Sequence, residues 1–157
     1  MMDFTSALDT KVEDFEEPKL QPEGTYIWAV TKAPESRVVG KNDEWDMLTF
    51  NVKCISAEDD VDPDDLQEFG SVANNPNRVS YIFPKDPDEK NSWDRTMAQL
   101  KRFLGSTLQI DGFDNMTLKE ALAASPNHQF LGVLKHKPRK DDPNIINAEI
   151  TSTAPLG

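Results

Sequence analysis

Apolar and polar side chains alternate most regularly in the stretch WDMLTFNVKCIS, residues 45–56. Successive side chains of a strand point to opposite faces of its sheet. One face would hold Leu48, Phe50, Val52 and Cys54, and the other Trp45, Met47, Thr49, Asn51 and Lys53. The alternation predicts a strand with its first face turned inward and its second turned outward.

Four other segments have the composition of strands, with aromatic and β-branched residues between turn-forming ones. They are TYIWAVTKA (25–33), RVSYIFP (78–84), HQFLGVLKHK (128–137) and NIINAEITS (144–152). The polar stretch 34–44 and the acidic stretch 57–68 are expected to be loops.

Two segments have helical periodicity instead. The first begins at Asn91 or Ser92 as its cap and ends at Gly105. Its apolar stripe consists of Trp93, Met97, Leu100 and Leu104. The second, residues 117–125, opens with Thr117 and Glu120 in the spacing of a capping box.

The order of these elements predicts the fold class. Three strands, a helical segment and two strands form a mainly β architecture with helices (α+β), as in a five-stranded, OB-fold-like Greek-key barrel whose helical segment lies between strands 3 and 4. A doubly wound βαβ fold is not expected, because no helix falls between the first three strands. This barrel would span residues 21–157.

Residues 1–20 are predicted to form a separate acidic, amphipathic segment. Phe4, Leu8, Val12 and Phe15 recur at helical spacing. A short helix of this kind is marginal in water, so it needs a surface on which to dock.

Negative charge is concentrated in two parts of the chain. The formal net charge is -11, with a balance of -4 in residues 1–22 and of -7 in residues 57–68. The remaining residues hold 15 acids and 15 bases. The overall acidity therefore does not exclude a nucleic-acid partner.

The densest basic cluster, KHKPRK (135–140), is predicted to form the loop between strands 4 and 5. OB-folds bind oligonucleotides across strands 2 and 3, between this loop and the loop that joins strands 1 and 2. Cations there would neutralise phosphates, and aromatic rings between them would stack on bases. The candidate nucleic-acid-binding residues are Trp28, Lys32, Arg37, Lys41, Trp45, Lys53, Arg78, Tyr81, Lys135, His136, Lys137, Arg139 and Lys140.

Several of these assignments depend on which face of a strand is buried. Either the Tyr26–Trp28 face or the Ile27–Ala29 face of strand 1 must be core. The outward position of strand 3 belongs to Tyr81 or to Arg78, according to register, and Trp45 could pack at the end of the barrel. The basic cluster could itself be only a solvated loop.

Enzymatic readings find little support in the sequence. Asp60, Asp62 and Asp64 have the spacing of calcium ligands, but Asp65 and Ser71 occupy the positions of the required glycine and glutamate. Cys54, the single cysteine, lies on the inward face of its strand, and the two histidines (His128 and His136) form no catalytic motif. No P-loop, nucleophile elbow or dinucleotide fingerprint is present. We expect no enzymatic activity, metal or cofactor.

Several stretches resemble one family: the start MDFTSAL, then LQPEGTYIWAVTKAPE, EWDMLTFNVK, SWDRTMAQLKRFLG and the closing strand. They are similar to the OB-fold single-stranded DNA-binding proteins that tailed bacteriophages encode beside their replication genes. The resemblance implies non-sequence-specific binding of single-stranded DNA during phage DNA replication or recombination.

The resemblance also implies partners and a location. Many such proteins carry an acidic C-terminal tail, whereas this chain ends in ITSTAPLG. Phage or host replication proteins would therefore be contacted by residues 1–20 or 57–68. With no apolar run of membrane-span length and an acidic rather than basic N-terminus, we expect no membrane association and a location in the host cytoplasm.

The main alternative comes from another class of function. A structural or protein–protein interaction module, such as a virion component or regulator, could use the same small barrel without a nucleic-acid role. It would dock through Phe4, Leu8 and Phe15 and leave the basic cluster solvated.

Overall fold

A computed structural model describes residues 3–14 and 19–157 of the chain. Its sheet contains six strands, and every strand pair is antiparallel. The strands are β1 (Gly24–Val30), β2 (Glu35–Val39), β3 (Trp45–Ala57), β4 (Pro76–Pro84), β5 (Gln129–Pro138) and β6 (Ile146–Ala154). Four helices accompany them: α1 (Phe4–Ala7), α2 (Pro63–Phe69), α3 (Lys90–Arg102) and α4 (Leu118–Ala124). The α+β class is thus confirmed.

The long strand β3 organises the sheet. It pairs with β4 along one edge and with both β1 and β2 along the other, and the sheet continues from β1 through β5 to β6. Among the described residues no backbone ladder joins β4 to β6, so the sheet is not closed. One side-chain contact bridges the gap, where Asn77 Nδ2 donates to Ala148 O over 3.1 Å.

The sixth strand lies in a segment that was predicted to be a loop, and the five-strand count is wrong. Pairing with β3 stops at Val30, opposite Val52, and resumes at Glu35, opposite Thr49. The break falls at residues 31–34, where Pro34 has no N–H to donate. β1 and β2 therefore lie end to end along one edge of β3.

Aromatic rings fill the core on one side of the sheet. Phe103 stands at its centre, with ring centroids 5.1 Å from Phe50 and 5.3 Å from Phe130, both in edge-to-face geometry. Tyr26 and Trp28 are fully buried beside them. The Tyr26–Trp28 face of β1 is therefore the core face, which resolves the alternative that the sequence left open.

The helices between β4 and β5 differ from the prediction at their ends. α4 has the predicted capping box, in which Thr117 and Glu120 exchange hydrogen bonds of 3.1 Å. α3 starts at Lys90, before Asn91 and Ser92, and has no side-chain cap. After Arg102 the chain continues as a π-helical turn over Phe103–Thr107, so the helical segment does not end at Gly105 as predicted.

None of the described helices is long and apolar enough to cross a membrane.

The acidic stretch contains a helix, so its prediction as a loop throughout is wrong. Asp62 caps α2 by accepting hydrogen bonds from the N–H groups of Asp64 and Asp65 over 2.8 and 3.2 Å. Pro63 occupies the first turn, where its missing N–H costs nothing.

The N-terminal segment forms less helix than its apolar spacing predicts. α1 is a single turn capped by Asp3, and residues Val12–Asp14 form one 3₁₀ turn. Phe4, Leu8 and Val12 are 80%, 64% and 87% exposed, so they do not pack on the sheet. Phe15, the fourth apolar position, lies outside the described residues.

Candidate nucleic-acid interface

The outward sides of β2, β3 and β4 form one surface, which we call the strand face. Strand register places Arg37 beside Met47 and Ile82, Asn51 beside Arg78, and Thr49 beside Ser80. The hydroxyls of Thr49 and Ser80 lie 3.2 Å apart. The strand face consists of Glu35, Arg37, Val39, Trp45, Met47, Thr49, Asn51, Lys53, Arg78, Ser80 and Ile82.

Apolar side chains remain accessible on this surface. Ile82 is 48% exposed, and Trp45 and Met47 are half-buried. Trp45 occupies the outward position that the alternation of β3 predicts, opposite Val39 and Pro84. These groups give the strand face an apolar end beside Arg37 of β2, while Arg78 of β4 lies toward its other end.

A polar groove continues the strand face toward β6. This seam groove has a volume of about 780 Å³ and follows the gap where β4 and β6 do not pair. Arg78 lines it from β4 and Lys137 from β5, next to β6. Amides and hydroxyls supply most of the remaining polar lining: Asn51, Asn77, Ser80, Asn147 and Thr151, with one carboxylate from Glu149.

Two of the predicted phosphate-binding cations are already paired. Lys32 Nζ lies 2.8 Å from Glu35 Oε1, and the ammonium group lowers the pKa of that carboxyl. Arg139 donates two hydrogen bonds to Asp141, of 2.9 and 2.6 Å, which lower the pKa of Asp141. Because each pair is locally neutral, Lys32 and Arg139 offer less attraction for phosphate than the sequence implied.

The other cations that were predicted to bind phosphate form no ion pair among the described residues. In residues 3–14 and 19–157, no carboxylate oxygen lies within 4.0 Å of their charged groups. Arg37, Lys53 and Arg78 belong to the strand face, and Lys137 lines the seam groove. Lys41 and Lys140 lie in the turns after β2 and β5.

The basic cluster is divided between strand and turn: Lys135–Lys137 lie in β5, as in the predicted strand 128–137, so the prediction of the whole cluster as a loop is wrong. Lys135, His136 and Lys137 pair with Glu149, Ala148 and Asn147 of β6, which leaves Arg139 and Lys140 in the turn. The positive charge of Lys135 helps to lower the pKa values of two neighbouring carboxyls, Glu23 and Asp60. Lys135 is thus directed toward acids.

His136 supports the segment before β1. Its ring Nε2 lies 2.7 Å from Gln21 O, and its backbone N–H donates to Glu23 Oε2 over 2.8 Å. That N–H bond is the main cause of the lowered pKa of Glu23. His136 therefore supports the segment before β1, and its contact with a ligand stays a prediction.

Trp28 cannot stack on a base, so its assignment to the site is wrong. Its side chain is fully buried, and Nε1 donates to Gly132 O over 3.2 Å.

Tyr81 also faces the core. Its ring centroid lies 6.1 Å from that of Phe50 and 5.9 Å from that of Phe103, and burial raises the pKa of its hydroxyl. Register thus gives the outward position of β4 to Arg78.

Apart from Arg78 and Lys137, the residues that line the seam groove were not identified from the sequence. Asn77, Asn147 and Glu149 come from strands far apart in the chain, and nothing local marks them as neighbours. The outward position of Ile82 could have been predicted from the sequence, because Ile82 alternates with Tyr81 and Phe83 and so shares a face with Arg78.

The chemically suggestive residues outside this surface have structural contacts. Asp60 accepts hydrogen bonds from Thr25, and among the described residues no group of three or more His, Cys, Asp or Glu side chains is arranged to hold a metal ion. Burial raises the pKa of the Cys54 thiol to about 11, and Gln21 Nε2 lies 3.5 Å from its sulfur. Cys54 is a core residue, as the sequence predicts.

No protein-family model matches this chain, and no curated protein matches it. Function must therefore be inferred from the strand face, the seam groove and the distribution of paired and unpaired charges.

Proposed function

We propose that this protein binds single-stranded DNA without sequence specificity, through the strand face and the seam groove, during phage DNA replication or recombination. One observation carries the proposal. Although the chain has a net charge of -11, Arg37, Lys53, Arg78 and Lys137 have no carboxylate partner among the described residues and lie along one surface. The acids on the same surface are Glu35, which pairs with Lys32, and Glu149 of the seam groove, so cations outnumber carboxylates there and would attract phosphate.

The chemistry of this surface suits a single strand. Unpaired Lys and Arg neutralise phosphates and release counterions, which gives affinity without reading sequence. The partly buried Trp45 offers an aromatic ring for stacking beside Met47 and Ile82, and stacking contributes about 1–3 kcal/mol per base. Amides in the seam groove can donate to base edges or to phosphate oxygens.

The pairing order supports an OB-type barrel as the finer description of the fold. If β1 and β2 act as one interrupted strand, the sheet reduces to five strands, with the helical segment between the third and the fourth. The proposed ligand surface would then lie across the second and third strands, where OB-folds bind oligonucleotides.

A protein-interaction role is the second candidate. It is favoured by the exposure of Phe4, Leu8 and Val12, three large apolar side chains that the sheet does not cover. In that reading the partner binds residues 1–20, or the acidic residues 57–68, and the strand face has no ligand. Under the DNA-binding function instead, phage or host replication proteins would bind residues 1–20 or 57–68, and the host cytoplasm would be the place of action.

Fluorescence anisotropy of a labelled oligo-dT, measured at low and moderate salt, distinguishes the two functions. DNA binding predicts an affinity that falls steeply with salt, with a similar affinity for mixed-sequence single strands. No binding at low salt would rule out the nucleic-acid function and leave the protein-interaction role.

A further inference from the structure

We propose that the seam groove holds one guanine base of the bound strand in preference to the other bases, through the carboxylate of Glu149. The inference rests on the proposed DNA binding and deepens it, because it concerns the base that occupies one position of that site. Phosphate contacts and stacking elsewhere on the surface read no sequence, so the strand as a whole is still bound with little regard to sequence.

Glu149 is the charged side chain of the seam groove that phosphate binding does not explain. The charged residues that line the groove in the described part of the chain are Arg78, Lys137 and Glu149. An ionised carboxylate repels phosphate, and it accepts hydrogen bonds but donates none. The phosphodiester and deoxyribose groups of an internal nucleotide have no donor, so a DNA group bound to Glu149 must belong to a base.

The carboxylate of Glu149 is available to a ligand. Its side chain is exposed, and in the described part of the chain no cationic group lies within 4.0 Å of its oxygens. Lys135 is paired with Glu149 across β5 and β6, but its charge is directed toward Glu23 and Asp60. Glu149 is therefore not neutralised by an ion pair.

The seam groove has different hydrogen-bonding groups on its two sides. Asn77 Nδ2 donates to Ala148 O over 3.1 Å, and this contact joins β4 to β6. Arg78 follows Asn77 on the β4 side of the groove, and Glu149 follows Ala148 on the β6 side. A base between the two sides would meet a guanidinium that only donates and a carboxylate that only accepts.

Guanine matches this arrangement better than the other bases do. Its O6 and N7 atoms accept hydrogen bonds from arginine, and its ring N–H and amino group are adjacent donors that suit the two oxygens of one carboxylate. Adenine and cytosine each offer only an amino group, and thymine only a ring N–H. In a single strand both of these base edges are accessible.

The seam groove also has room for a base. Its volume of about 780 Å³ lies within the ~300–1,000 Å³ of small-molecule sites. Leu20, Pro76 and Ile150 contribute apolar groups to its lining, and the face of a base can pack against them. The groove therefore offers a base apolar contacts as well as hydrogen-bonding partners.

Fluorescence anisotropy with three short labelled oligonucleotides at low salt tests the inference. The first is all dT, the second carries one central guanine, and the third carries inosine there, which lacks only the amino group of guanine. We expect the wild type to bind the guanine strand at least about threefold more tightly than dT, and the inosine strand to lose most of that gain.

Glu149→Gln should bring the ratio of guanine to dT affinity close to one, because an amide cannot accept from both donors of guanine. Its affinity for dT should stay the same or rise, since a negative charge is lost. Glu89→Gln is the matched control: it removes the same charge from an exposed position outside the strand face and the seam groove, so the ratio should not change.

Equal affinity of the wild type for the guanine and dT strands would overturn the inference and leave the DNA-binding function standing. So would a guanine preference that Glu149→Gln retains, because another group would then select the base. Loss of dT binding by Glu149→Gln would also overturn it, because Glu149 would then support the groove instead of contacting a base. A wild type that binds none of the three strands would overturn both the proposed function and this inference.

Discussion

Gly132 lets β5 approach Trp28, the largest side chain in the core. A Cβ at this position would lie 2.7 Å from Trp28 Cδ1, 2.8 Å from its Nε1 and 3.1 Å from Ile150 Cγ2. The Trp28 ring cannot retreat easily, because it is fully buried and hydrogen-bonded to Gly132 O. The sequence shows a glycine within a strand, but only the pairing of β5 with β1 reveals what it must avoid.

We predict that Gly132→Ala lowers the free energy of unfolding by roughly 1–3 kcal/mol, the usual cost of overpacking a core. Urea denaturation measures it. Gly112→Ala is the control, because no atom lies within 4 Å of its Cβ and only the positive φ of 71° is strained, at about 1 kcal/mol. A Gly132→Ala variant as stable as the wild type would contradict this packing.

Asp60 links the acidic stretch to β1 through hydrogen bonds that require its charge. Thr25 donates to it from the backbone N–H over 2.9 Å and from the hydroxyl over 2.7 Å, and both bonds lower the pKa of Asp60. A depressed pKa contributes stability that is present above the unfolded value and lost as pH falls through the folded value.

Asp60→Asn should therefore be less stable than the wild type at neutral pH, with the difference shrinking as the pH falls below the ordinary aspartate value of 3.8 and through the lower pKa of the folded carboxyl. Thermal unfolding across a pH series measures it. Asp59→Asn is the matched control, since it removes the same charge and leaves both Thr25 contacts in place. A difference that is constant with pH would contradict the role of the carboxylate.

At the scale of elements, the sequence predicts those strands and helices whose signal is local. β3 has strict alternation and α4 has a capping box, and both are found within one or two residues of the predicted limits. β2 is short and polar, and it exists because β3 provides an edge for it. β5 extends through Lys135–Lys137, as the composition of residues 128–137 predicts, and β6 pairs with it there.

The sequence contains a helix-start signal for α2, but the negative charge of the same stretch favours a loop. Asp62 followed by Pro63 is a cap and first-turn signature, and Asp64 and Asp65 suit a helix N-terminus. Seven acids in residues 57–68 favoured a solvated loop instead. Acidic side chains grouped at one helix start are compatible with helix formation because the N–H groups there attract them.

Asp62→Ala should destabilise the protein by about 1 kcal/mol, because it removes the acceptor for two N–H groups of the first turn. Chemical denaturation and helical circular dichroism measure it. Asp64→Ala serves as the control: it removes the same charge but keeps the cap, so it should cost less. Equal losses would show that charge, rather than capping, holds α2.

For the whole molecule, the sequence shows where basic residues are concentrated along the chain but not which of them form ion pairs among the described residues. Lys32 and Arg139 pair with acids two or three residues away, and these short-range pairs could have been noticed. The meeting of Arg78 with Lys137 depends on how β4 and β5 are arranged around the seam groove. No local pattern encodes that arrangement, because it follows from the order in which the strands pair.

The most direct test of DNA binding compares two double variants that remove the same charge. Arg78→Ala/Lys137→Ala removes the cations that line the seam groove, and Lys32→Ala/Arg139→Ala removes the paired ones. Oligo-dT anisotropy over a salt series gives each affinity and its salt slope. We predict that the first variant loses more than tenfold in affinity and up to about 1.4 from the slope, at ~0.7 per phosphate contact on single strands. The second should stay close to the wild type. Equal losses from the two variants would contradict the account, since charge alone would then govern binding.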